Sequence, residues 1–198
     1  MPFPPVRFGR GLCLQLALAA IIVQASWAAS AQSIDAPRSP LADAIGQLLA
    51  GEAKSLPLPV RQEQAALQRY YVEAGGRPIW RTPVRMRGLV SALSAADQEG
   101  LEPSVYPTAH LARLAGIAGF GGYESAAQVE LYFSAIFLRF ARDMKVGRFL
   151  PTKIDPNLYW QKKEIDPVRA LELMAEAPDM PSFITQWQPG ILDYAKLK

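Results

Sequence analysis

Residues 125–146 read SAAQVELYFSAIFLRFARDMKV, and this stretch decides the fold. Its large apolar residues recur at intervals of three and four, the period of an α-helix with a buried face. Ser125 and Gln128 have the spacing of a capping box, and Gly147 follows the run, so the pattern predicts a helix over 125–146. Leu131 and Leu138 lie off the main apolar stripe. We therefore expect a central helix with other helices packed on more than one side.

Shorter helical patterns flank this central helix on both sides in the sequence. They cover about 41–50, 61–74, 84–98, 108–114, 167–177 and 181–187, several of them ending at glycines, and a further helix begins at about 190. Residues 56–59 predict an extended connector, and residues 149–164, rich in proline and turn residues, predict an extended or sheet-like excursion. The expected fold is a mainly α, compact, bundle-like domain around the central helix.

The N-terminus has the pattern of a secretory signal peptide over residues 1–31. Arg7 and Arg10 precede an apolar run, and small residues at Ala29 and Ala31 predict cleavage between Ala31 and Gln32. An uncleaved anchor is the alternative. Residues 32–40 predict a flexible leader, and 41–198 a helical domain. Cleavage would remove Cys13 and leave a cysteine-free chain, which suits an oxidising compartment, so we expect a periplasmic protein that meets the membrane only through its signal peptide.

Charge and residue counts exclude several kinds of function. The chain has 21 basic and 18 acidic residues, and 19 basic residues remain once Arg7 and Arg10 are removed. No Lys/Arg cluster marks one face, which argues against nucleic acid as a partner. One cysteine and one histidine cannot form a disulfide or a Cys/His zinc site, and no glycine fingerprint follows a strand. We therefore expect no metal and no cofactor.

Few residues have the pattern of a catalytic or charged binding site. Asp97, Glu99 and Glu102 cluster at a helix end, where acids are usually solvated, and His110 has no evident partner and is read as surface or packing. Arg139, Arg142 and Arg148 could bind a carboxylate, although ion pairs with Glu130 or Asp143 are the interpretation that we favour.

Three short motifs, in this order, resemble the N-terminal scaffold domain of large periplasmic L,D-transpeptidases, the group that includes the enzyme YcbB. They are Tyr70-Tyr71 followed by Pro78-x-Trp80; Gly100-Leu101-x-Pro103-x-x-Tyr106; and Arg142-Asp143-x-x-x-Gly147-Arg148 with Pro151, Asp155-Pro156 and Trp160 after it. The likeness runs from about Leu41 to the last residue. Its most specific part is the stretch from Gly147 to Trp160.

The resemblance implies a role in peptidoglycan chemistry but transfers no catalytic residue. Members of the family join this scaffold to a catalytic domain whose nucleophile is a cysteine in a Ser/Thr-His-Gly-Cys type motif, often with a peptidoglycan-binding module inserted. This sequence contains neither, since its cysteine is Cys13 and its histidine is His110. A truncated transpeptidase and a free-standing scaffold both remain open, and so does whether the protein is an enzyme.

The favoured function is an exported, non-catalytic scaffold that binds peptidoglycan or a peptidoglycan-processing enzyme. Its candidate binding residues are Trp80, Tyr106, Tyr159 and Trp160, whose rings lie in extended or turn segments, with Arg142 and Arg148. For each aromatic residue, however, we favour the interpretation that it pins a loop to the core. Two other functions are retained: an independent glycan-cleaving hydrolase using Glu99 or Glu102, and a secreted helical adaptor unrelated to the wall.

Overall fold

Shorter helices pack around one long helix in the computed structural model, which describes residues 39–117, 121–148 and 164–188. Eight α-helices and no strand occur within those ranges. They are α1 (Pro40–Ala50), α2 (Leu58–Gln62), α3 (Gln64–Gln68), α4 (Pro83–Ser94), α5 (Thr108–Ile117), α6 (Gly122–Val146), α7 (Pro167–Glu176) and α8 (Met180–Trp187). The expectation of a mainly α, bundle-like fold is confirmed.

The long helix α6 is the core of the domain. Its Phe133, Phe137 and Phe140 are fully buried, and so are Leu131 and Leu138 off the main stripe. The prediction of a helix surrounded on more than one side is therefore confirmed. The predicted capping box is wrong, because the helix begins at Gly122 and its N-cap, Gly121, makes no side-chain hydrogen bond. Both glycines have positive φ, so the chain enters α6 through a backbone conformation that other residues rarely adopt.

The predicted helix over 61–74 is broken into pieces. α2 begins at Leu58, within the stretch expected to be extended, because Pro59 sits in the first turn, where a helix does not need the missing N–H. α3 follows, and a π-helical turn over Arg69–Glu73 ends it. Gly75 then has a φ of 63°, which confirms the expected left-handed stop. The π turn sets the position of Tyr71, which points into the core.

The next two predicted helices occur with shifted ends. The pattern over 84–98 divides into α4 and a 3₁₀ turn at Ala96–Glu99, and Gly100 ends it with a φ of 71°. A second 3₁₀ turn at Pro103–Val105 leads to α5, which runs three residues past the predicted end at Leu114. These turns lead the chain from α4 to α5.

Both ends of α7 are capped by side chains. Asp166 accepts a hydrogen bond from the Val168 amide at 3.0 Å, which confirms it as the N-cap of α7. At the other end of α7, the Arg85 guanidinium donates to the Met174 carbonyl at 2.9 Å and to the Ala177 carbonyl. A cation at a helix C-terminus satisfies carbonyls that have no partner within the helix. Arg85 thereby ties α4 to α7.

Several predictions concern residues outside the described ranges. They are the signal peptide over 1–31, residues 32–38 of the leader, nearly all of the excursion over 149–164, and the helix from about 190. These stay predictions. Among the helices of the described ranges, none combines the length and apolar character that crossing a bilayer requires.

Candidate functional site

The most unusual feature of the described core is a buried carboxylate, that of Glu130. Its side chain is on α6, and the residue is only 2% exposed. Oε1 accepts hydrogen bonds from the Tyr71 hydroxyl at 2.7 Å and from the Ile79 amide at 2.5 Å, and Oε2 accepts from the Trp80 amide at 3.0 Å. Three donors converge on one charge, which is how a buried carboxylate can be stabilised without a cation in contact.

Ser134 extends this network one turn along α6. The Trp80 indole Nε1 donates to Ser134 Oγ at 2.9 Å, and Ser134 Oγ lies 2.7 Å from the Tyr71 hydroxyl. Because Tyr71 gives its one proton to Glu130, Ser134 must donate to Tyr71. The hydrogen bonds therefore all run in one direction, from indole to hydroxyl to phenol to carboxylate. Such a chain polarises each of its members. We call Tyr71, Trp80, Glu130 and Ser134 the polar anchor.

The polar anchor holds an extended segment against the central helix. Residues 77–80 form no regular secondary structure, so their backbone groups need partners from elsewhere. Glu130 satisfies the amides of Ile79 and Trp80, while the Trp80 ring packs 5.7 Å from Phe133 and 5.8 Å from Phe137. The arrangement positions the chain between α3 and α4. The four residues of the anchor are between 0% and 8% exposed, which fits a structural role better than contact with a large substrate.

Burial shifts the acid–base properties of the anchor. Desolvation raises the pKa of Glu130 above its ordinary value, and the hydrogen bonds from Tyr71, Ile79 and Trp80 oppose that rise. Desolvation, helped by the nearby Glu130 charge, also raises the pKa of the Tyr71 phenol. Tyr71 therefore stays protonated and remains a donor throughout the neutral range.

The pH dependence of stability is expected to show the shift at Glu130. A carboxyl group whose pKa is raised on folding binds its proton more tightly in the folded state than in the unfolded state. Its contribution to the free energy of unfolding is therefore largest below pH 4.5, the ordinary pKa, and is lost as the pH rises through the folded-state pKa. The free energy of unfolding of wild type, relative to that of Glu130→Gln, should therefore decrease as the pH rises. Urea unfolding of both proteins between about pH 4 and pH 8 measures this. If wild type instead became more stable relative to the variant as the pH rises, the three hydrogen bonds would outweigh desolvation in setting the pKa of Glu130.

Trp80 and Tyr106 do not present their rings to solvent, which contradicts the candidate binding role and agrees with the interpretation that they pin loops to the core. They are 1% and 4% exposed. The Tyr106 hydroxyl donates to Asp143 at 2.8 Å, its ring packs edge-on to Phe140, and Arg139 lies over that ring at 5.6 Å. Burial and the bond to Asp143 raise the pKa of Tyr106. Both rings pin irregular segments to α6.

The other predicted binding residues are in different situations. Arg142 forms a two-pronged ion pair with Glu63, at 2.7 and 2.8 Å, although the favoured prediction named Glu130 or Asp143. Glu130 is unavailable because it is buried in the anchor, on another side of α6. Arg148 is exposed at the end of α6. Tyr159 and Trp160 lie outside the described residues.

Two of the acids considered for catalysis accept hydrogen bonds from other side chains or amides. Glu99 accepts hydrogen bonds from Gln188 Nε2 at 3.1 and 3.3 Å, and exposed Glu102 accepts from the Ser104 amide and hydroxyl. His110 is exposed on α5, with its ring edge-to-face to Tyr132 at 5.1 Å. The described part of the chain contains no group of three His, Cys, Asp or Glu side chains placed to hold a metal ion.

The polar anchor is what our sequence reasoning missed. Glu130 and Ser134 are spaced by four on an otherwise apolar stretch, so they share a face that must be buried. Polar residues at such a spacing within a core helix indicate a buried network. That signal was present, but nothing in the sequence identified the partners, which lie at least 50 residues away.

Fold and site together define a helical domain organised around one buried helix and an internal polar anchor. The family model described as the scaffold domain matches residues 65–198, and the chain belongs to this family, the scaffold domain of L,D-transpeptidases such as YcbB. The resemblance given by the sequence motifs is thereby confirmed. No curated protein and no solved structure matches the chain.

Proposed function

We propose that this domain is an exported, non-catalytic scaffold in peptidoglycan remodelling, which binds peptidoglycan or an enzyme that processes it. The observation that carries the proposal is the match of the scaffold-domain family over residues 65–198. The chemistry of the chain agrees with it, because the one cysteine, Cys13, lies in the predicted signal peptide and the one histidine, His110, is exposed and far from it in sequence. A cysteine nucleophile paired with histidine would have to come from another polypeptide segment.

The rigidity of the core suits such a role. A scaffold works by holding its surface, and whatever is attached to it, in one geometry, which requires side chains locked by packing and hydrogen bonds. The polar anchor locks the chain between α3 and α4, and Arg85 locks α4 to α7. The polar anchor is buried and the Arg85 contact is partly buried, so both can support binding without taking part in it.

Arginine residues at the end of α6 are the candidates for direct binding. Arg148 is exposed, and the side chain of Arg142 is 42% exposed despite its ion pair with Glu63. Guanidinium groups bind carboxylates, which the stem peptides of peptidoglycan carry. Tyr159 and Trp160 follow in the sequence and remain candidates from the sequence alone.

Purified protein incubated with purified sacculi tests the proposal. We expect the protein to sediment with the sacculi, or to change the cross-linked muropeptides that an added L,D-transpeptidase produces. Arg148→Ala should weaken that effect, and Arg69→Ala is the matched control, since Arg69 is exposed at the first position of the π turn. Muropeptides released by the protein alone would favour the hydrolase instead. No sedimentation and no effect on the enzyme would contradict the proposal and favour an adaptor unrelated to the wall.

A further inference from the structure

A groove of about 410 Å³ lies between α4, with the 3₁₀ turn after it, and α8. The two walls meet at both ends of the groove. At one end, a Cβ atom added to Gly88 would lie 3.5 Å from the Cβ of Met180. At the other end, Gln188 Nε2 donates to Glu99 at 3.1 and 3.3 Å. The helices therefore lie side by side and run in the same direction, with the groove along the crease between them.

The lining of the groove combines an apolar floor with a polar rim. Its small or apolar residues are Gly88, Ala92 and Ala95 on one wall and Met180, Pro181 and Ile184 on the other. Its polar residues are Ser91, Gln98, Glu99, Thr185 and Gln188. Ala92, Ala95 and Ile184 are half-buried, whereas Ser91, Gln98 and Thr185 are exposed. An apolar centre with a polar edge is the usual anatomy of a contact surface.

The chain continues from one end of this groove. Gln188, the last residue that the structure describes, lines the groove, and ten residues follow it in the sequence. Pro189-Gly190 is a dipeptide typical of a turn, which can direct the chain back along the groove. As a helix, residues 191–198 would be about 12 Å long, and the wall from Gly88 to Ala95 is about 11 Å long. The length of the segment therefore suits the groove.

The sequence of this segment supplies apolar side chains for such a contact. Residues 191–198 read ILDYAKLK, and a helix begins at about 190 in our sequence prediction. Helical spacing places Asp193 and Lys196 on one side, while the apolar residues Ile191, Leu192, Tyr194, Ala195 and Leu197 cover most of the rest. A helix with this pattern needs an apolar surface to pack on. The scaffold-domain family matches through residue 198, so the segment belongs to the domain.

We infer that residues 190–198 bind in the groove between α4 and α8 and cover its apolar floor. Ile191, Tyr194 and Ala195 face the groove, and Asp193 and Lys196 face solvent. Because the segment is tethered at Gln188, its binding is intramolecular, and a short tether gives an effective concentration of about a millimolar or more. The inference concerns a contact within the chain and is independent of the role in peptidoglycan remodelling.

The rate of thiol modification at single introduced cysteines tests the inference. A chain that begins at Gln32 contains no cysteine of its own. We expect a maleimide to modify Ser91→Cys and Thr185→Cys, one on each wall, at least about tenfold more slowly than the controls, because thiol reactivity depends on access. The controls are Ser94→Cys and Gln186→Cys, which are exposed positions on the same two helices outside the groove lining. Circular dichroism checks that each variant is folded.

A second substitution identifies the segment that covers the groove. Ile191→Asn should raise the modification rates at both groove positions to those of the controls, because it places a polar group on the apolar side of the segment. Lys196→Asn, on the opposite side, is the matched control and should change no rate. Modification at either groove position as fast as at its control would overturn the inference. Slow modification that Ile191→Asn leaves unchanged would overturn it as well, since another group would then cover the groove.

Discussion

Replacing Glu130 by alanine is expected to lower the free energy of unfolding by about 3–5 kcal/mol. The substitution removes the acceptor of three buried donors, the Tyr71 hydroxyl and the amides of Ile79 and Trp80. Each unsatisfied donor costs about 1–3 kcal/mol, and the lost desolvation penalty of the carboxylate offsets part of the sum. Urea unfolding at neutral pH, monitored by circular dichroism, gives the value. Tryptophan fluorescence should report the change around Trp80.

Glu130→Gln is the control that separates charge from hydrogen bonding. Glutamine keeps the volume and one good acceptor, but its amide group places a donor where Oε2 now accepts from the Trp80 N–H. We expect a loss of about 1–3 kcal/mol at neutral pH, smaller than that of alanine. Equal stability of the alanine variant and wild type would show that the buried network contributes nothing net, as some buried charged groups do.

The central helix could be predicted because its signal is local and redundant. Twenty-two consecutive residues repeat an apolar period, and even the off-stripe Leu131 and Leu138 correctly indicated burial on more than one side. The ends of elements were less predictable. Leu58 begins a helix within a proline-containing stretch. The sequence did not predict this start, because proline in the first turn of a helix and proline in an extended connector look alike in sequence. The π turn at 69–73 has no sequence signature that we know.

The candidate site was less predictable because it depends on contacts between distant residues. Trp80 and Tyr106 lie in irregular segments, and local sequence cannot tell whether such a ring faces solvent or the core. Arg142 pairs with Glu63, 79 residues earlier, rather than with an acid on its own helix. Several acids could pair with Arg142, and Glu63 is the one that does so because α2 and α3, which flank it, pack on α6. Spacing rules consider neighbours on one helix and cannot find such a pair.

Trp187 attaches α8 to the central helix, and we expect its replacement to cause a second large loss of stability. Its indole Nε1 donates to the Ala141 carbonyl at 2.8 Å, and its ring stacks on Phe183, which in turn packs 4.8 Å from Phe137. Lys145 also contacts this residue, with its Nζ 5.2 Å from the ring centre and 2.9 Å from the Trp187 carbonyl. A large ring, a hydrogen bond and a cation–π contact therefore act at one position.

Trp187→Ala is expected to lower the free energy of unfolding by about 3–5 kcal/mol, because it removes a large buried side chain and leaves a cavity. The short helix α8 has few other residues that could fill that cavity. Hydrogen exchange should locate the effect, since the amides of α8 would exchange faster while those of α6 stay protected. Lys145→Met is the matched control. It keeps the aliphatic stem but removes the cation, and should cost about 1 kcal/mol. If Trp187→Ala cost no more than the control, Phe183 alone would dock α8, and the indole contact would be dispensable.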